Sequence, residues 1–477
     1  MKSLLEGVRM SDLLRWPLTD LVQRLQRREL SPVELMRATL ARIAATHEKL
    51  NAFVALRDES ALIADARLAE ARIAEGQARP LEGIPLGVKD LEDASGLATT
   101  QGSLPFKNNI ASRDSLQVER LRAAGAIVVG KTNAPEFGWT AITKNLLFGE
   151  TRNPWKLDRT PGGSSGGSAA AIAGGVIAMA TASDGGGSVR LPATFTGCFG
   201  LKPSFGRIPH GPAELWVTID TSGHGPLTRT VEDAALHLDA TVGEHPLDPS
   251  SLPHPGVSYR ALLRTLEPNR RIGFSPDLGY AVVQHDVAEV VERAALVFQE
   301  LGHSLDLLKG GPPELGRDWS LANAFESAAK LHELIPKHES EFGRQFLAGV
   351  KQGWQMTPER WAAAQRRREE LNRWCADVFA RYDLLLTPTA PYDPPPAKGP
   401  FPTELEGKKL ALASVASFTI PFNLSWHPAA TVRAGLSRVG LPVGLQIVGP
   451  RHRDDLVLQA AFAFEQARPW AHEWPMI

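Results

Sequence analysis

Apolar residues in the first eighty positions recur at helical spacing. Leu35, Leu40, Ile43 and Ala44 follow Ser31-Pro32-Val33-Glu34, a good helix start. Ser31 can cap it, Pro32 suits its first turn, and Glu34 can close a capping box. A second helix is predicted over about 59–75. From Gly83 the pattern changes. Residues 84–88 form a short apolar run that ends at Lys89-Asp90. Residues 114–124 read as a helix and 126–130 as a buried strand. A Gly/Ser-rich stretch, 162–168, precedes an alanine-rich helical run from Ala169. Residues 176–182 read as the next strand, ending at Asp184-Gly185-Gly186-Gly187-Ser188. This alternation of strands and helices predicts an α/β layered core.

Beyond about residue 245 the pattern loosens. Residues 246–255 read as a surface loop, 286–301 and 357–382 as amphipathic helices, and 384–386 and 443–448 as core strands. Six prolines fall between 391 and 402, which predicts a disordered loop or part of a substrate rim. No repeat or long linker divides the chain, so one domain over 1–477 is expected. It has a helical part (1–80), a motif-bearing core (81–245) and a remainder (246–477) carrying variable rim helices and loops.

Composition narrows the class. Apolar residues make up 43% and charged residues 22%, an ordinary globular balance. Net charge is −1, which gives no electrostatic footprint for nucleic acid or an anionic membrane. Two cysteines, Cys198 and Cys375, exclude a disulfide framework and are expected as buried thiols. Charges interrupt the N-terminal segment, so a signal peptide is not expected, and no apolar run is long enough for a membrane span. A cytoplasmic protein is expected, as monomer or homodimer.

The chemistry concentrates in two Gly/Ser segments. Taken alone, each also fits a linker or a tight turn. A phosphate loop would need a lysine after the glycines, and none follows. Gly185, Gly186 and Gly187 run directly into Ser188. Their amides and that of Ser188 could hold the oxyanion formed when Ser188 attacks a carbonyl. Serine needs a base. None of the thirteen histidines is placed by a motif, and no zinc-binding pattern appears. Gly162-Gly163-Ser164-Ser165-Gly166 formally fits G-x-S-x-G, but turn residues rather than an apolar strand precede it. Lys89, at a strand end, is the remaining base. It could equally be a solvated charge, and it works as a base only if burial keeps it neutral.

Together these segments resemble the amidase signature family of serine hydrolases. The resemblance rests on Gly87-Val88-Lys89-Asp90, on 161–168 and on Asp184-Gly185-Gly186-Gly187-Ser188-Val189-Arg190. It extends to Gly130-Lys131-Thr132-Asn133, Thr151-Arg152-Asn153-Pro154, Gly200-Leu201-Lys202-Pro203, 225–229 and 440–446, in order and nearly end to end. It implies one large α/β domain, with a mixed twisted sheet covered by helices on both faces. It implies a triad of Ser188 as nucleophile, Ser164 as middle member after a cis peptide bond, and Lys89 as base. Ser165, Asp184 and Arg190 are expected to support the site. Two positions depart from the pattern: Ser183 replaces a common threonine, and Gly185 stands where a larger residue is common, which predicts a looser oxyanion loop.

The implied activity is hydrolysis of an amide-like C–N bond through an acyl-enzyme, with no cofactor or metal. Expected substrates are small amides or carbamates with apolar or aryl groups. Specificity is expected from 107–112, 139–148, 210–216, 322–351 and 391–426. Trp139, Leu146, Leu147, Phe148 and Trp216 are pocket candidates, although core packing explains each as well. The segment 149–193 resembles the nylon-oligomer and urethane-cleaving branch. The alternatives are a glutamine-amidase component of a tRNA-dependent amidotransferase and a catalytically silent binding module.

Overall fold

Eleven strands form one mixed sheet in the computed structural model, which describes residues 13–211 and 220–477. In chain order they are β1 (Phe53–Leu56), β2 (Pro85–Lys89), β3 (Ile127–Thr132), β4 (Met179–Ala180), β5 (Phe199–Lys202), β6 (Leu227–Thr228), β7 (Arg271–Phe274), β8 (Ser304–Leu307), β9 (Leu384–Pro388), β10 (Ala429–Leu436) and β11 (Pro442–Val448). Across the sheet the order is β1-β3-β2-β4-β6-β5-β10-β11-β9-β7-β8. β3, β2 and β4 run parallel, as do β9, β7 and β8. The other neighbours are antiparallel.

Both faces of the sheet are covered, as the apolar runs predict. Successive β3 residues show it. Val128 joins a buried cluster with Leu86, Val88 and Leu121, whereas Val129 joins another with Ala169, Ile172 and Cys198. Alternate side chains leave a strand on opposite faces, so each face has its own core. A strand buried on both faces carries no polar alternation.

The helix Pro32–Leu50 opens with both arms of the predicted capping box. Ser31 Oγ accepts from the Val33 amide and Glu34 accepts from the Ser31 amide, each at 3.0 Å. The helices Glu59–Ala74, Leu116–Ala123, His285–Glu300 and Pro358–Arg381 lie where expected, within a residue or two at most ends.

Three local expectations need correction. The helix expected from Ala169 spans Gly166–Ala173 and so takes in part of the Gly/Ser stretch. Gly167 packs against the backbone of Asn133 and Ala52, where any Cβ would collide, so glycine here serves close packing rather than flexibility. The strand expected over 176–182 shrinks to β4. The Val176 amide turns back to the Ala171 carbonyl (2.9 Å), closing the helix instead of pairing. Ser183–Asp184 then leaves the sheet for a two-residue ribbon with Gly223–His224. The proline-rich stretch is an ordered strap: the Thr160 amide donates to Pro395 O and the Ala397 amide to Asp158 O, both at 2.9 Å. Among the described residues, no helix is long and apolar enough to cross a membrane.

Gly167→Ala should lower stability by about 1–3 kcal/mol, the usual cost of overpacking. Urea denaturation measures it. An unchanged midpoint would contradict the packing role of this glycine.

Candidate active site

Lys89 ends β2, and its side chain is fully buried. Its backbone amide donates to Thr181 Oγ1 at 3.0 Å, which fixes where the side chain leaves the sheet. Nζ then meets three oxygens: Ser164 Oγ at 2.8 Å, Ser183 Oγ at 2.9 Å and Ser183 O at 3.3 Å. Among the described residues, no carboxylate lies within ion-pair distance of it. Burial is the main cause that lowers its pKa from 10.5 to about 7, and the more distant charges of Asp184 and Glu92 oppose the shift.

Ser164 follows a cis Gly163–Ser164 peptide bond, as the resemblance implies. Ser165 supports the lysine only at one remove. Its Oγ lies 3.3 Å from Ser183 O and accepts from the Ser183 amide at 3.4 Å, and Ser183 in turn holds Lys89. The Ser165 amide donates to Ser188 O at 3.3 Å, bringing the two serine segments side by side. Ser188 is partly exposed, unlike Ser164 and Lys89. Its hydroxyl makes no hydrogen bond among the described residues. The arrangement therefore joins Lys89 to Ser164 directly and leaves Ser188 adjacent.

Asp184 and Arg190 form a fully buried bidentate pair, at 2.8 and 3.0 Å. Arg190 also donates to Gln446 Oε1 (2.8 Å), Thr419 O (3.1 Å) and Asn423 Oδ1. Burial disfavours the Asp184 charge. The guanidinium of Arg190, with Asn423 and Lys202, more than offsets that and holds its carboxyl well below the usual range. The same carboxylate accepts from the amides of Gly187 (2.7 Å), Val189 (3.1 Å) and Arg190 (3.3 Å).

The glycine loop is therefore pinned residue by residue, which corrects the expectation of a looser loop at Gly185. Trp319 Nε1 donates to Gly185 O (2.9 Å) and Thr419 Oγ1 to Gly186 O (2.6 Å). The donor set also changes. The Gly187 amide is committed to Asp184, while those of Gly185, Gly186 and Ser188 have no partner among the described residues.

The pocket candidates scatter. Trp139 is half-buried and meets Phe346 edge-on, with centroids 5.3 Å apart. Its neighbour Gly138 abuts Ser164, where a Cβ would stand 3.2 Å from Oγ. Leu146 and Phe148 lie in the hairpin of Lys144–Asn145 and Gly149–Glu150. Leu146 is 60% exposed, and Phe148 O accepts from Asn51 Nδ2 at 2.6 Å, which ties the ribbon to the residue that ends the helix Pro32–Leu50. Trp216 lies outside the described residues.

Sequence reasoning gave no role to Ser183, Thr181, Trp319, Thr419, Asn423 or Gln446. Ser183 was visible only as a departure from the family pattern. Gln446 lay in a matched motif, and Thr419 and Asn423 lay in a segment read as variable. Trp319 had no signal. Each acts through a contact more than ninety positions away in sequence, apart from Ser183 with Ser165.

The comparisons agree with this fold. The amidase family model matches residues 34–458. An acylamidase of Rhodococcus erythropolis is 36% identical, with 96% of each chain covered. A glutamyl-tRNA(Gln) amidotransferase chain of Geobacter metallireducens is 34% identical, covering 94% of this chain and 97% of its own. Among solved structures, a bacterial aryl acylamidase of the amidase signature family superposes with a TM-score of 0.90, at 29% identity over 96% of this chain and 97% of that one. A 6-aminohexanoate cyclic dimer hydrolase gives 0.85, at 30% identity over 97% and 99%. These relationships define a hydrolase of C–N bonds built as one large α/β domain. The chain belongs to the amidase family.

Asp184→Asn would leave Arg190 buried without its anion. A loss of about 3–5 kcal/mol is expected from the denaturation midpoint. A change below about 0.5 kcal/mol would show that the neutral hydrogen bonds alone hold the loop.

Proposed function

We propose that this amidase hydrolyses small amides through an acyl-enzyme at Ser188, with Ser164 and Lys89 as its proton relay. The observation that carries the reading is the Lys89 amine, fully buried, unpaired with any described carboxylate and 2.8 Å from Ser164 Oγ. Such an amine can accept a proton near neutrality.

The steps follow from the contacts. Lys89 accepts the Ser164 proton as Ser164 accepts that of Ser188. Substrate binding closes the Ser188–Ser164 contact, since catalytic hydrogen bonds commonly tighten only in the Michaelis complex. Ser188 Oγ attacks the carbonyl, and the amides of Gly185, Gly186 and Ser188 receive the oxyanion. Each such donor is worth about 3 kcal/mol in related sites. Collapse of the intermediate breaks the C–N bond, and Ser164 returns a proton to the leaving nitrogen. Water then attacks the ester by the same relay, freeing the acid and Ser188.

The substrate reading is aryl or other apolar amides, extending to carbamates and nylon-type oligomers. The likeness to acylamidases supports the amides, and the likeness to the cyclic dimer hydrolase supports the oligomers. The two buried, unbridged thiols suit a reducing compartment such as the cytoplasm. The amidotransferase relative keeps a second reading in view, that of a partner-bound glutamine amidase.

Mass spectrometry of the purified chain with mixed amides, esters and carbamates should trap an acyl group on Ser188, and none on Ser188→Ala. Turnover of a simple amide by the chain alone would exclude dependence on a partner. The same assay followed with pH tests the relay. Lys89 must be neutral to accept a proton, so kcat/KM should fall about tenfold per pH unit below about 7. A flat profile from pH 5 to 9 would remove Lys89 as the base.

A further inference from the structure

Trp319 is the side chain that touches both the glycine loop and an open cleft. It lies on the helix Gly316–Leu331 and is partly buried against the cluster of Leu191, Phe195 and Ile420. Its indole N–H holds Gly185 O at 2.9 Å. Its ring covers Gly186, where a Cβ would come within 2.9 Å of three ring carbons. The same indole lines an open cleft whose apolar side is Trp361, Leu315 and Leu424 and whose polar side includes Asp220, Asp318 and Arg368. Trp361 is 38% exposed and meets Phe325 at 6.1 Å, so aromatic surface continues to the cleft mouth. Thr221, also on the wall, accepts through its carbonyl from Asn423 Nδ2 (3.0 Å), which also bonds Asp184 (2.9 Å).

The cleft does not contain Ser188 or Lys89. It reaches the site through Trp319. With its N–H on the Gly185 carbonyl and Thr419 on the Gly186 carbonyl, the loop is fixed with those carbonyls facing their donors. The amides that would meet an oxyanion are left unspent. Preorganised donors act without reorganising during reaction, so whatever fixes them sets the rate. Trp319 and Trp361 both line the cleft, and aromatic faces attract a planar apolar group beyond simple area burial.

Building on the acyl-enzyme reading above, we propose that Trp319 is a positioning and specificity-determining residue: it seats an aryl substituent of the substrate in this cleft and holds the oxyanion loop in register through Gly185. The N–H and the ring then have separable effects. Losing the N–H alone slows turnover of every amide. Losing the ring also removes the advantage of aryl-bearing amides.

The test compares wild type, Trp319→Phe, Trp319→Ala and Trp361→Ala on matched aryl- and methyl-bearing amides. The ring is placed in the acyl part in one series and in the amine part in the other. A fluorophosphonate first counts Ser188 sites in each protein, followed by mass spectrometry. Trp319→Phe should lower kcat about tenfold on both substrate types with KM within twofold. Trp319→Ala should also cut the aryl preference in kcat/KM about tenfold. Trp361→Ala, at the exposed cleft mouth, should cut that preference with a smaller effect on kcat. Wild-type kcat in Trp319→Phe, or an aryl preference unchanged in both alanine variants, would overturn the proposal. Failure of the wild type to label at Ser188 would instead overturn the acyl-enzyme reading.

Discussion

A fully buried primary amine, with hydroxyls and one carbonyl as its only close partners among the described residues, is the constraint on which this site depends. Lys89 is delivered to that position by a sheet strand whose last amide is fixed by Thr181. The described residues offer a protonated amine no carboxylate at contact distance, only two hydroxyls and one carbonyl. Burial therefore favours the neutral form. The consequence for stability has a definite sign. The folded pKa lies below the ordinary 10.5, so the charged amine costs the fold stability. That cost is complete below about pH 7 and fades as pH rises toward 10.5.

The opposite solution is used one strand away. Asp184 is as deeply buried but keeps its charge, because Arg190 meets it with two hydrogen bonds and three backbone amides turn toward it. An unpaired lysine and a fully paired aspartate thus lie on either side of Ser183, whose hydroxyl and carbonyl hold the lysine. The glycines that follow are held from three directions, by Asp184, Trp319 and Thr419. The absence of side chains there permits close packing and does not make the loop slack.

Local grammar and family pattern made much of this legible. The Ser31 capping box, the β2 and β3 runs and the long helix before β9 follow from spacing and apolar pattern alone. The pattern of matched motifs brought Lys89, Ser164 and Ser188 to notice together, and the fold sets their segments side by side. What sequence could not reveal was contact between distant segments. Gly167 read as flexible because the Asn133 backbone it packs against is invisible in one dimension. Gly187 read as an oxyanion donor because the turn that commits its amide to Asp184 cannot be seen locally. Trp319 sits on a helix with no motif, yet it holds the loop.

The protonation state of Lys89 is the point most open to direct measurement. Heteronuclear NMR of protein labelled at lysine Cε would follow its titration, with the signal assigned by its loss in Lys89→Met. A midpoint near 7 is the expected result. A midpoint near 10.5 would mean a charged lysine at neutral pH, and would remove the base from the proposed relay.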